Sequence, residues 1–211
     1  MKRKIKPIKS KLSAAEIQRA IYIDYEGNMH AAPTLLGWRV DGQNHAAIVE
    51  SGFADCAGRY RAKQVTEKPH EVLIRELVLQ AQTEGRRIVS WSEHDYNMMH
   101  DAVGDADRLQ IRQVFRNALN TARPWHRRTR GATPPDKASL SYFCDILYFP
   151  VPEKYGLGLV GESLKTIREQ LSQGRKYADL SPGARSRWVR VVKHNQLDLE
   201  GMEHVLKKMA A

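Results

Sequence analysis

The chain has 211 residues, 42% of them hydrophobic, and sets 34 Lys and Arg against 24 acids for a net charge of +10. That length buries one substantial core and leaves little room for a second full domain. No run approaches the roughly 18 consecutive apolar residues of a membrane span, and the N-terminus lacks an apolar signal core. The two cysteines, Cys56 and Cys144, have no C-x-x-C spacing and are too few for a disulfide framework. The expectation is a soluble cytoplasmic protein with no membrane partner.

Lys2, Arg3, Lys4, Lys6, Lys9 and Lys11 open the chain with no acid among them. They read as a disordered basic arm over residues 1–15, ahead of a domain over 16–211. Ile21 to Gly27, Thr34 to Val40 and Ala46 to Ser51 are short, apolar and separated by turn-formers, which predicts three strands in two successive hairpins. From Pro69 the period turns helical: Leu73, Ile74, Leu77, Val78 and Ala81 share one face and Gly85 ends it. A strand is expected at Arg87 to Ser92. Met98, Met99 and Val103 suit a helix, and Ile111, Val114, Phe115, Ala118 and Leu119 suit another. Ser139 to Phe149 is aromatic enough for a last strand before Pro150. Three helices are then expected, over Ser163 to Leu171, Gly183 to Lys193 and Asn195 to Met209. This order predicts an α/β fold, a mixed sheet of three antiparallel strands then two parallel, flanked by helices.

Four acids end apolar runs in three separate segments. On a strand Asp24 and Glu26 share a face, while Ile21, Ile23 and Tyr25 take the other. Two carboxylates so close oppose each other's ionisation unless a cation lies between them. A second D-x-E, Asp198-Leu199-Glu200, falls in helical sequence, where its two carboxylates diverge. Asp198 itself heads the apolar stripe of Met202, Val205 and Met209, with His194 one turn before it, so it points inward. Its alternative is a helix N-cap, shared with Asn195. Asp95 follows the Arg87 to Ser92 strand, at the end where open sheets place their chemistry, and its alternative is again a cap. Glu93 competes with it.

Two further basic clusters carry aromatics: Arg123 to Arg130 around Trp125, and Arg175 to Lys193 around Tyr177 and Trp188. A solvated face explains any one such cluster, whereas three suit a polyanion such as nucleic acid. Gly156-Leu157-Gly158-Leu159-Val160-Gly161 fits the dinucleotide fingerprint G-x-G-x-x-G but has no βαβ context, and reads as a loop bordering a groove.

Placed in order, Asp24-x-Glu26, the segment Ile88 to Asp95 and the stretch from Gly161-Glu162-Ser163-Leu164-Lys165 to His194 and Asp198 resemble the three motifs of the DEDD superfamily of 3′-to-5′ exonucleases. The resemblance runs from about Ile21 to Leu206. It implies a ribonuclease H-like fold, with Asp24, Glu26, Asp95 and Asp198 holding two Mg2+ or Mn2+ ions and acting catalytically together with His194. One position departs from the pattern. Members usually carry a Tyr four residues before the last Asp or a His five before it, and here His194 stands at four. Asp145, where relatives often carry an acid on the last strand, reads as structural. The implied substrate is a single-stranded DNA or RNA end, contacted by Trp125, Arg127, Arg128, Arg187, Trp188 and Arg190. A catalytically inactive nucleic-acid-binding module of the same fold is the alternative.

Overall fold

The computed structural model describes residues 5–27, 32–59, 64–135, 138–155, 158 and 160–211. Its frame is a mixed sheet of six strands in the order β4-β3-β2-β1-β5-β6. The strands are β1 (Ile21–Gly27), β2 (Pro33–Val40), β3 (Gln43–Ile48), β4 (Val65–Glu67), β5 (Ile88–Ser90) and β6 (Phe115–Asn117). β1, β2 and β3 run antiparallel, as the two hairpins required. Asp41 and Gly42 turn the second hairpin at φ of 49° and 77°, the left-handed pair that a two-residue turn needs. β5 and β6 follow parallel to β1, and β4 adds a parallel edge beside β3 that sequence periodicity did not indicate.

The helices are α1 (Ala14–Gln18), α2 (His70–Thr83), α3 (Glu93–Ala102), α4 (Asp105–Val114), α5 (Leu119–Arg130), α6 (Leu140–Ile146), α7 (Val160–Ser172) and α8 (Pro182–Ala210). Three sequence expectations are corrected. The helix expected across Ile111 to Leu119 is α4, then β6, then α5, because the edge of β5 accepts a parallel partner at Phe115. The last strand expected at Ser139 to Phe149 is α6, capped by the Ser139 hydroxyl, which accepts from the Tyr142 amide. Asp145 is therefore on a helix, and exposed. The two C-terminal helices are one unbroken helix of 29 residues, which removes Asp198 and Asn195 from any N-cap.

Alternation along β1 divides the interior. Ile21 and Ile23 join Leu36, Ala47, Ile88 and Phe115 under α2, α3 and α4. On the opposite face Tyr22 and Val89 pack with Phe143, Leu199, Met202 and Val205. Farther along that face Leu35, Ala46 and Ile48 pack with Leu164, Trp188 and Val191. α8 thus contributes to two apolar clusters, and its middle crosses the gap between them.

Met1 to Lys4 of the expected arm lie outside the described residues. Residues 5–13 carry no helix or strand, yet they are tied to the body. The Tyr96 hydroxyl donates to the Ile5 carbonyl at 2.9 Å, Arg112 Nε to that of Lys6 at 3.1 Å, and the Leu12 amide to Thr121 Oγ1 at 2.8 Å. The strap joins the helices on either side of β6.

One half-buried pair sets an acid limit on stability. His70 Nε2 lies 2.7 Å from the Tyr25 hydroxyl, and burial lowers the imidazole from 6.5 to about 4. Between these values the unfolded chain binds a proton that the folded chain refuses. The contribution is therefore complete above pH 6.5 and is lost as pH falls toward 4. In a pH series of urea melts, His70→Gln is expected to flatten the midpoint's fall across that window, and an unchanged fall would exclude the pair as its source.

Candidate active site

The site forms where α8 crosses the C-terminal half of β1. Asp24 and Glu26 leave the strand on the face of Tyr22, and α8 brings His194, Asn195 and Asp198 over them. Close approach is possible because Gly37, the β2 partner of Asp24, has no side chain. A Cβ there would lie 1.7 Å from Asn195 Oδ1. Asn195 Nδ2 donates to Asp24 Oδ2 at 2.9 Å and to the Asp24 carbonyl at 3.0 Å, which pins the helix to the strand.

The third element is the turn after β5. Ser92 caps α3 by accepting from the His94 amide, and its hydroxyl donates to Asp95 Oδ2 at 3.1 Å. The Ser90 hydroxyl donates to the Ser92 carbonyl at 2.8 Å, which braces the turn that carries this bond. Asp95 therefore takes part in a capping arrangement and still faces the site, only 6% exposed. Glu93 is exposed, which removes it as a competitor.

The fold holds the four acids close enough to feel one another's charge. Burial pushes Asp24 well above the usual carboxylate range, and the charges of Glu26, Asp198 and Asp95 push it further. Glu26 is raised by burial and then by Asp198, while Asp95 and Asp198 are raised chiefly by burial. Glu26 is 6% exposed, and its Oε1 is buried with no hydrogen-bond partner. A buried anionic oxygen without a donor is costly, and its natural complement is a cation.

His194 borders the same acids. Its Nδ1 stands 2.6 Å from the Tyr155 carbonyl, which can only accept, so Nδ1 carries a proton. Nε2 is thereby turned toward Asp198 Oδ2 at 3.5 Å and Glu26 Oε1 at 3.9 Å. In the neutral ring that nitrogen is a proton acceptor.

A cleft of about 250 Å³ opens beside these groups, lined among others by Tyr25, Glu26, His94, Met98, Gly161 and His194. Gly158, Val160 and Gly161 of the glycine-rich segment form part of its wall, as a loop bordering a groove would. Gly156, Leu157 and Leu159 lie outside the described residues.

No protein-family model, curated protein or solved structure matches the chain.

Other residues expected to touch a polyanion are placed elsewhere. Trp188 is 0% exposed, packed against Phe53 in the core, and cannot stack on a base. This is a correction, and the stripe Ala184, Trp188, Val191 and Val192 carried the signal of burial at i, i+4, i+7 and i+8. Arg187 and Arg190 are half-buried on α8, Arg190 one turn before His194. Trp125, Arg127 and Arg128 are on α5, with both arginines exposed. Sequence reasoning gave no role to Gly37, Tyr155 or His94, and saw Asn195 only as a cap. Asn195 stands three residues before Asp198, a spacing that shares a helix face and was available as a signal.

As to metal, the donor chemistry fits: several hard carboxylate oxygens in a buried, mutually repelling set, one of them unpaired, suit Mg2+ or Mn2+. Among the described residues, no three His, Cys, Asp or Glu donors are drawn in to the spacing of a formed metal site.

Proposed function

We propose that the protein is a metal-dependent nuclease with a ribonuclease H-like fold, removing nucleotides from the 3′ end of single-stranded DNA or RNA. The order β3-β2-β1-β5-β6, three antiparallel strands followed by two parallel ones with the acids at the end of the first, supports the fold reading. The observation that carries the function is the unpaired, buried Glu26 Oε1 inside a set of four carboxylates, all raised by burial, with Asp24 and Glu26 raised further by the charges of the others.

In this reading Asp24, Glu26 and Asp198 would hold two Mg2+ or Mn2+ ions, with Asp95 completing the set. Bound there, such ions would acidify a water and neutralise charge on the leaving 3′-oxygen. The chain's own residues do the remaining work. His194 Nε2 takes a proton from the attacking water while the Tyr155 carbonyl holds the ring in orientation. Asn195 fixes the Asp24 carboxylate, and the Ser92 hydroxyl fixes that of Asp95. Water oxygen bonds to phosphorus, the P–O3′ bond breaks, and the released oxygen takes a proton from solvent.

The test is incubation with a 3′-labelled single strand and Mg2+. Release of labelled mononucleotide is expected, and internal cutting of a circular strand would replace the exonuclease reading with an endonuclease one. His194→Gln is expected to lower the rate about a hundredfold or more while Mg2+ still raises the melting temperature. A His194→Gln enzyme at full rate would remove the imidazole from the chemistry.

A second reading, an inactive nucleic-acid-binding module, is favoured by one observation: an Asp95 carboxylate oxygen already accepts from the Ser92 hydroxyl. Salt-sensitive binding without any Mg2+-dependent hydrolysis is its signature.

A further inference from the structure

A second cleft, of about 180 Å³, lies at the far end of α8 among the strap, α1 and α5. Leu12, Ile17 and Met209 give it an apolar floor, Trp125 and Pro124 form a wall, and Lys11 and Arg128 stand at its rim. The strap builds one side of it, fixed there by the bond from the Leu12 amide to Thr121. Both cations are exposed, and among the described residues neither has a carboxylate within ion-pair distance. From Leu119 to Pro135 the sequence has no acid, while Arg123, Arg127, Arg128 and Arg130 are all exposed on α5. Three of these arginines occupy the helix's last turn, where they also offset its dipole. The dipole does not account for a hollow with an aromatic wall, or for Lys11 on a different segment at the same rim.

We propose that this cleft holds one unpaired nucleotide of a single-stranded nucleic acid, the base against Trp125 and the phosphate between Lys11 and Arg128. A hollow of about 180 Å³ suits one planar ring system. A free inorganic anion would use the cations but leave the aromatic and apolar walls unused. A nucleotide uses both, and aromatic stacking accepts any base. Met209 is one helix, and about 16 Å at 1.5 Å per residue, from Asp198, so the strand would be gripped well away from where the acids stand. The choice of partner rests on the nucleic-acid reading above, whereas the location of the grip does not depend on catalysis.

The experiment is fluorescence anisotropy of a labelled oligothymidylate with the full chain in EDTA, over a range of salt. Arg128→Gln and Lys11→Gln are each expected to weaken binding several-fold and to lower the slope of log K against log salt by about 0.7, one single-strand phosphate contact each. Trp125→Ala is expected to weaken it about tenfold. Arg123→Gln, on the same helix but outside the cleft, is the control and is expected to change affinity less than twofold. Equal losses from Arg123→Gln and Arg128→Gln would overturn the subsite in favour of a diffuse cationic face. Should Trp125→Ala not fold, the two surface variants decide alone. Wild-type binding with Arg128→Gln and Lys11→Gln unchanged sinks the subsite only, while a wild-type chain that binds no oligonucleotide sinks the nucleic-acid reading together with it.

Discussion

Asp24→Asn is expected to lower metal-dependent hydrolysis by about a thousandfold or more while raising the melting temperature of the metal-free protein. The two effects come from one cause. Asp24 is held above its ordinary pKa by burial and by Glu26, Asp198 and Asp95, so its charge opposes the fold whenever no cation is bound. An amide keeps the shape and can still accept from Asn195 Nδ2, but carries no charge to repel. Relief on the order of 1 kcal/mol corresponds to a rise of roughly 2–4 °C for a chain of this size. The pH dependence has a defined sign. A carboxylate whose folded pKa is raised favours the fold below its unfolded value and loses that contribution as pH rises through the folded value. Metal-free wild type should therefore weaken as pH rises through the raised carboxylate range, in the direction opposite to the His70 effect, and Asp24→Asn should weaken less. Mg2+ should then stabilise wild type by about 2.7 kcal/mol at a hundredfold excess over its dissociation constant, and the variant by much less. A variant that is both inactive and less stable would mean that Asp24 is a structural carboxylate rather than a ligand waiting for a cation.

The parts of the fold that were legible are those where one pattern ran long enough to be read. β1 and β2 are apolar-rich runs of seven and eight residues bounded by turn-formers, and α2 keeps one apolar face for fourteen. β6 is three residues between two helices, too short to display a period of two, so Ile111 to Leu119 read as one helical stripe. Ser139 to Phe149 has aromatic residues that suit either state. Packing decided it: Phe143 and Cys144 bury against α8, where Gly201 leaves the space, and a Cβ at that glycine would stand 2.9 Å from Cys144 Sγ.

The site was legible through its acids and obscured through its helix. The apolar stripe of α8 is interrupted at His194 and Asn195, which suggested two helices with a cap between them. The helix continues, and the interruption is the point where it turns polar atoms onto Asp24 and Glu26. A break in amphipathic pattern inside an unbroken helix is what a functional site is expected to produce. Trp188 misled for the reverse reason: flanking arginines suggested a stacking surface, while the helical spacing of its apolar neighbours put it in the core.

Gly37→Ala tests whether that close approach of α8 assembles the site. The added methyl would lie 1.7 Å from Asn195 Oδ1 and 2.6 Å from its Cγ, contacts that no rotation of the methyl can relieve. Asn195 is 1% exposed, so its side chain has no free volume to retreat into, and the helix must lift from β1 or the asparagine must leave Asp24. Overpacking of this kind is expected to cost about 3 kcal/mol, read as a fall in the urea midpoint. Hydrolysis should fall as well, since a displaced α8 carries His194 and Asp198 with it. The double variant Gly37→Ala with Asn195→Ala removes the clashing amide. Its urea midpoint should recover most of the loss, whereas its activity should stay low because nothing then holds the Asp24 carboxylate. Recovery of both would mean that Asn195 only fills space. Recovery of neither would place the strain in the β2 backbone instead of at the contact between sheet and helix.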